Sequence, residues 1–354
     1  MSDVNFSEEI ANLRNSLTSV NLPPELKLKL EEEITRLEKL SSTSGYSQEF
    51  VRVSSYLDWA ISLPWDKRSD DVLDLEYAGK ILNQNHYGLD SIKQRILEYL
   101  SVLKLKKEKA GQGNNPHLMR APILCFVGLA GTGKTTIASS IAQSMGRKFE
   151  RIPFGGLGDP AYLRGQSRIH PESEPGQVIK ALKRAGTKNP VILLDEIDRV
   201  VDEARATIMG VLVELLDPEQ NMAFTDYYLD YPFDLSEVLF IATANNTTHI
   251  STAVLDRLEP MMMPSYTDEE KTTIAKDFIL PKILEEAGLS IGNLVIEESV
   301  WPLIVRPLGY DAGIRTLERT INGICRKVAK LIVEKKGEKF VLTGENIKDF
   351  LPSW

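Results

Sequence analysis

Gly128-Leu129-Ala130-Gly131-Thr132-Gly133-Lys134-Thr135 is a run of residues suited to holding an anion, and its spacing fits G-x-x-x-x-G-K-[ST]. The apolar run Ile123-Leu124-Cys125-Phe126-Val127 precedes it and Ile137-Ala138-Ser139-Ser140-Ile141 follows, which predicts strand, glycine-rich loop and helix in that order. Glycines let successive backbone N–H groups turn toward an anion with no Cβ in the way, and the helix that follows adds its positive end. The expected ligand is the phosphate chain of a nucleotide. Gly128, Leu129, Ala130, Gly131, Thr132, Gly133, Lys134, Thr135 and Thr136 form the binding set. Lys134 would reach the terminal phosphates, and the Thr135 hydroxyl would ligate Mg²⁺.

Hydrolysis needs a second, acidic half. Val191-Ile192-Leu193-Leu194-Asp195-Glu196 reads as a strand covered on both faces that ends in two carboxylates. The carboxyl ends of such strands are where open α/β sheets bind ligands. Asp195 is placed to hold Mg²⁺ through water, and Glu196 to orient and deprotonate the attacking water. Val238-Leu239-Phe240-Ile241-Ala242 is another apolar strand, closed by Thr243-Ala244-Asn245, and the Asn245 amide can bond the water or the γ-phosphate. Arg257, in Leu255-Asp256-Arg257-Leu258, is placed to stabilise transition-state charge as an arginine finger. Gly313-Ile314-Arg315-Thr316-Leu317-Glu318-Arg319 opens a long helix, from which Arg315 would return to the phosphates.

Around these motifs the chain resembles the ATPase module of the Lon proteases, members of the AAA+ superfamily. The resemblance is carried by Tyr56-Leu57-Asp58-Trp59, Ser62-Leu63-Pro64-Trp65, His86-Tyr87-Gly88-Leu89, Arg95-Ile96-Leu97-Glu98-Tyr99-Leu100, Leu194-Asp195-Glu196-Ile197-Asp198 and Leu216-Asp217-Pro218-Glu219-Gln220-Asn221, and runs from about Leu13 to Phe350. It implies an α/β fold: an AAA+ P-loop NTPase core, with a parallel sheet between helices, an N-terminal helical segment and a small α-helical C-terminal lid domain. It implies Walker A and B roles for Lys134, Thr135, Asp195 and Glu196. By the same resemblance Asn245 is the first sensor, Arg257 a finger acting on a neighbouring subunit, Arg315 the second sensor, and Tyr87 lies in the stretch against adenine. ATP and Mg²⁺ are the implied cofactors, a homo-hexamer the implied assembly, and protein substrates the implied targets.

Two departures from that family stand out. The chain ends at Phe350-Leu351-Pro352-Ser353-Trp354, near where the family's serine–lysine peptidase begins, and no Gly-Pro-Ser-Ala-Gly segment occurs. It is therefore not expected to cut peptide bonds by itself. Two origins are expected from the resemblance: a stand-alone ATPase, or a fragment of a longer gene, the ATPase part of a split or truncated peptidase that would work with a separate peptidase chain. The second departure lies between Arg164-Gly165 and Pro175-Gly176, where the family carries an aromatic–apolar–glycine pore loop. His170-Pro171-Glu172 occupies those positions, with Glu174 close by, so altered gripping of substrate is expected. A third functional reading, a nucleotide-gated assembly module without turnover, has no need of Glu196, Asn245 and Arg257 together.

The elements that must position these residues fall into three regions. Residues 1–66 read as helical: Phe6, Ile10, Leu13 and Leu17 recur at helical spacing, Pro23-Pro24 breaks the chain, and Leu30, Ile34, Leu37 and Leu40 form a second stripe. Residues 67–264 alternate apolar strands and helices, the pattern of a parallel sheet covered on both faces, with Gly111-Gln112-Gly113-Asn114-Asn115-Pro116 as a loop ahead of the first core strand. Residues 265–354 form a small, mostly helical domain opened by the capping box at Thr267-Asp268-Glu269-Glu270, with short strands at Leu294-Val295-Ile296 and Phe340-Val341-Leu342.

A chain of 354 residues with 42% hydrophobic residues has core enough for two or three domains. Its net charge of −8, without a long Lys/Arg block, argues against nucleic-acid binding. Cys125 in a predicted core strand and Cys325 in a helix predict no disulfide and a reducing compartment. The polar, acidic N-terminus, without a secretory or transmembrane segment, predicts a cytoplasmic protein away from membranes.

Overall fold

The computed structural model describes residues 3–40, 45–110, 123–170, 172–306 and 313–352. The predicted loop Gly111–Pro116 and Pro171 lie outside the described residues. Helices α1 (Asp3–Thr18), α2 (Pro24–Lys39), α3 (Tyr46–Ser62), α4 (Leu75–Asn85) and α5 (Asp90–Ala110) come first. Then follow β1 (Ile123–Val127), α6 (Lys134–Ser144), β2 (Phe149–Pro153), α7 (Ala161–Arg164), α8 (Gln177–Ala185), β3 (Val191–Asp195) and α9 (Arg205–Leu216). The short pair β4 (Phe224–Thr225) and β5 (Pro232–Phe233) precedes β6 (Leu239–Ala244), α10 (Thr252–Leu255) and β7 (Leu258–Met262). The C-terminal elements are α11 (Asp268–Ile274), α12 (Leu280–Glu286), β8 (Leu294–Ile296), α13 (Trp301–Val305), α14 (Arg315–Val333), β9 (Phe340–Leu342) and α15 (Ile347–Phe350).

Five strands form one sheet in the order β2-β3-β6-β1-β7. Strand β3 pairs in parallel with β2, from Phe149↔Val191 to Pro153↔Asp195, and with β6, from Val191↔Leu239 to Leu194↔Ala242. Every residue of β3 and β6 is buried, as expected of parallel strands covered on both faces. The non-consecutive order, with a helix in most crossovers, is the α/β architecture expected of the alternating sequence pattern.

The chain divides into two compact units. The first comprises Met1–Leu73, Val102–Cys125 and Ala142–Pro260. In it, Ile10, Leu17, Leu30, Ile34 and Leu37 of the two predicted helical stripes are buried. Helix α3 joins them and supplies Tyr56, whose hydroxyl donates to Leu229 O at 3.0 Å. The surface these helices cover is the β4–β5 hairpin: Lys29 Nζ donates to Asp230 O at 2.7 Å, and the Trp65 ring lies 4.8 Å from that of Phe233.

The second unit comprises Asp74–Ser101, Phe126–Ile141 and Met261–Trp354. Its C-terminal core gathers Ile283, Leu294, Trp301, Ile321, Ile324 and Val328, with the amphipathic face of α14 at the centre. The predicted capping box is present: Thr267 accepts from the Glu270 N–H, and the Glu270 side chain accepts from the Thr267 N–H. The two predicted short strands pair in parallel, Leu294↔Phe340 through Ile296↔Leu342. Both cysteines are free and buried, and burial raises the Cys125 thiol to about 12 and that of Cys325 to about 11. Among the described residues no helix is long and apolar enough to cross a membrane.

Candidate nucleotide and hydrolysis site

The candidate residues form two sets, one in each unit. In the second unit, Gly128 through Gly133 make the loop between β1 and α6, and α6 starts at Lys134. Gly131 (φ 82°) and Gly133 (φ 92°) are in the left-handed region that favours glycine. At Gly128 a Cβ would come within 2.8 Å of Met263 O, so this position is closed to any side chain. Lys134 Nζ lies over the loop and donates to the carbonyls of Gly128 (2.5 Å) and Leu129 (2.9 Å). An ammonium so placed, inside a ring of turned backbone groups, is the cation a phosphate chain would meet. Thr135 is half-buried; the exposed Thr136 hydroxyl donates to Gly133 O at 2.8 Å.

Residues distant in sequence close on the same loop. Ile314 N–H donates to Gly131 O at 3.0 Å, and a Cβ on Gly313 would lie 2.5 Å from Ala130 O. Close backbone approach of the segment opening α14 therefore requires glycine there. It brings Arg315 to the loop, its Cγ 3.3 Å from where a Gly131 Cβ would stand. The Tyr266 hydroxyl donates to Thr132 O at 3.2 Å. Tyr87, at the end of α4, meets Phe278 edge-on with ring centroids 6.5 Å apart.

Beneath Tyr87 is a buried polar network that sequence reasoning missed. The His86 Nε2 lies 2.8 Å from Ser140 Oγ on α6, and Asn85 Nδ2 donates to the same hydroxyl at 3.0 Å. Lys93 Nζ donates to His86 O at 2.7 Å and to Asn83 Oδ1 at 2.9 Å. Burial, reinforced by the Lys93 charge, lowers the His86 pKa to about 4, so the imidazole is neutral. The Ser140 hydroxyl thus ties the Asn85-His86 turn to α6.

In the first unit, Asp195 ends β3 and is 4% exposed. Thr243 Oγ1 donates a very short hydrogen bond to Asp195 Oδ1 and accepts the Glu196 N–H at 2.9 Å. Arg151 Nε donates to the other carboxylate oxygen at 2.7 Å. Asp195 is thus a carboxylate paired with Arg151 at a strand end, a donor type suited to Mg²⁺. Thr243 and Arg151 carry no motif signal. Their proximity follows from the register: Pro153 opposes Asp195, and Arg151 shares its face of β2.

Glu196 adopts φ 59°, ψ 48°, the left-handed region rare for residues with a side chain. The turn lifts its carboxylate off the strand axis into space left by Gly155, where a Cβ would sit 3.1 Å from Glu196 Oε2. Asn245 is half-buried immediately after β6. Arg257 follows α10 and pairs with Asp217 Oδ2 through Nη2 at 2.6 Å.

The departure loop belongs to the first unit as well. Its base is fixed by Asp226, wholly buried, which accepts N–H groups from Gly176 (2.7 Å), Tyr228 (2.8 Å) and Leu229 (3.0 Å). Burial raises its carboxyl to about 6 against the lowering effect of those bonds. The Arg168 guanidinium stacks 3.6 Å from the Tyr56 ring centre and donates to Tyr228 O at 2.9 Å. Beside this anchor Ile169 is 84% exposed, and His170, Glu172 and Glu174 are exposed too. A cavity of about 610 Å³ lies against the loop, lined among others by Gly155, Tyr162, Glu172, Glu174 and Lys180.

The family described as "ATPase family associated with various cellular activities (AAA)" matches residues 124–266, and the "Lon protease AAA+ ATPase lid domain" matches residues 285–341. The chain carries an AAA+ ATPase domain with its lid. Within that class it belongs to the Lon type, homologous to the ATPase part of Lon proteases. It is 45% identical to Lon protease of Lawsonia intracellularis over 348 residues, covering 98% of this chain and 40% of that protein. It is 42% identical to Lon protease 2 of Thermus thermophilus and to Lon protease 1 of Bacillus subtilis, covering 97% of this chain and 43% of each relative. The chain thus spans about two-fifths of the length of these curated relatives.

Proposed function

We propose that the chain binds ATP with Mg²⁺, hydrolyses it, and uses the turnover in a ring of identical copies to unfold or remodel protein substrates. The observation that carries this reading is the Gly128–Thr135 loop: glycine is required where Met263 O closes in, Lys134 is folded over the carbonyls, and the Arg315 segment closes on it. Backbone N–H groups from Gly128 to Thr136 hold the phosphates, with Lys134 on the terminal ones and Tyr87 at the base. Thr135 and Asp195 would hold Mg²⁺, which supplies charge neutralisation on the phosphates. Glu196 orients the attacking water and takes its proton, and Asn245 fixes that water by hydrogen bonding. Arg315 senses the phosphates from the lid, and Arg257 meets the charge that develops on the γ-phosphate of a neighbouring copy. A cytoplasmic setting and a homo-hexameric ring go with this reading.

The test is phosphate release. Wild type should hydrolyse ATP only with Mg²⁺, while Glu196→Gln should still bind ATP and turn over roughly 10²–10⁴-fold more slowly, because an amide cannot accept the water's proton. Absence of Mg²⁺-dependent release from the wild type would remove the enzyme assignment. The relatives' printed name favours a second reading, in which the same module drives a peptidase carried on another chain or a longer one. ATP-dependent degradation of an unfolded protein by a complex containing this chain would support it.

A further inference from the structure

Leu216-Asp217-Pro218-Glu219-Gln220-Asn221, at the end of α9, carries the family resemblance but has no part in the chemistry described so far. The structure gives one of its residues a specific partner. Asp217 Oδ2 accepts from Arg257 through Nη2 at 2.6 Å and Nε at 3.3 Å, a side-on pairing, and Nη1 of the same guanidinium donates to Ala253 O at 2.7 Å. The other carboxylate oxygen, Oδ1, accepts the Glu219 N–H at 2.9 Å. The Asp217 backbone is held too: its N–H donates to Val213 O and its carbonyl accepts from the N–H groups of Gln220 and Asn221. One turn back on the same helix, Glu214 pairs with Arg164, which opens the 165–176 loop. Asp217 is therefore a fixed post. The Arg257 pair is the first cause of its lowered pKa, with the backbone N–H bonds of Glu219 and Gln220 adding to it.

A guanidinium has five N–H donors in one plane. Three are used by Asp217 and Ala253, which leaves one N–H on each Nη to meet a phosphate. We propose that Asp217 is a positioning residue for Arg257: it takes the side-on edge of the guanidinium and so presents the remaining N–H groups to the nucleotide of a neighbouring copy. Proline at 218 and the turn through Asn221 keep the post rigid, since Pro fixes φ and the turn bonds pin the carboxylate. The proposal rests on the reading of Arg257 as a finger in trans, and the experiment separates the two.

ATP hydrolysis and ATP affinity are measured for the full chain and its Asp217→Asn, Arg257→Ala and doubly substituted forms. The asparagine Oδ1 still accepts the Glu219 N–H, but its amide nitrogen cannot accept from Arg257. Asp217→Asn is expected to lower kcat about tenfold with ATP affinity within about twofold, and to change hydrolysis by less than twofold when Arg257 is already alanine. Mixed with Glu196→Gln subunits, which supply an intact Asp217–Arg257 pair, it should regain activity. Asp217→Ser, whose hydroxyl also accepts the Glu219 N–H, serves if the amide form does not fold. Wild-type or faster turnover in Asp217→Asn overturns the proposal, as does an equal further loss in the Arg257→Ala background. Wild-type kcat in Arg257→Ala overturns the finger reading itself, and the proposal with it.

Discussion

His86 shows how a single residue ties stability to the site. Its imidazole is buried against Ser140 and above Lys93, and its pKa falls from 6.5 to about 4, first by burial and then by the Lys93 charge. A depressed histidine pKa stabilises the folded chain above the unfolded value of 6.5. As pH falls below 6.5 the unfolded chain takes a proton that the folded one refuses until about 4. Between those values stability should decline by about 1.4 kcal/mol per pH unit from this group. Replacing it by His86→Gln should flatten the decline, measured as the urea midpoint at pH 7, 6 and 5. An unchanged pH slope in the variant would locate the acid sensitivity elsewhere. Gly128 makes a sharper prediction. Gly128→Ala sets a Cβ 2.8 Å from Met263 O and 2.9 Å from Met263 Cβ, so the loop must move. ATP affinity should fall at least tenfold in a binding titration, whereas alanine at Gly210, which has open space, should leave it unchanged.

At the scale of elements, the 165–176 loop combines a rigid base with an altered tip. A Cβ on Gly176 would lie 2.0 Å from Leu163 O, and the buried Asp226 carboxylate takes the Gly176 N–H. Gly176→Ala should therefore lower the melting temperature and expose the loop to protease. The tip carries His170 and Glu172 where the resembled family has an aromatic residue and glycine. Aromatic rings give a moving loop stacking and dispersion contact with passing side chains, while a carboxylate prefers water. The triple change His170→Tyr, Pro171→Ile, Glu172→Gly should raise unfolding of a fluorescent substrate per ATP consumed without a proportionate rise in basal hydrolysis. If the unmodified chain already unfolds as efficiently, Tyr162, which lines the cavity against the loop, or Ile169, exposed beside the anchored Arg168, is the next candidate for the grip. The strands and loop of the nucleotide half were legible because each has a local signature: an apolar run, glycines at fixed spacing, a capping box. Thr243, Arg151 and Asp217 were not legible as partners. Their contacts depend on strand register and on helix ends meeting segments some 40 to 50 residues away, which no local pattern encodes.

At the scale of the whole molecule, the two sets of candidate residues have different requirements. The loop, Tyr87 and Arg315 need only their own unit, whereas a finger in trans needs a second copy. Specific activity should then rise with protein concentration, and a nucleotide that promotes assembly should raise the melting temperature in a concentration-dependent way. The most direct test mixes two defective forms. Glu196→Gln retains the finger but lacks the base; Arg257→Ala retains the base but lacks the finger. Mg²⁺-dependent phosphate release from a one-to-one mixture should exceed the mean of the two forms measured separately at the same total concentration, because mixed rings contain sites with both groups. A mixture equal to that mean, with wild-type specific activity constant on dilution, would contradict hydrolysis at an interface between copies.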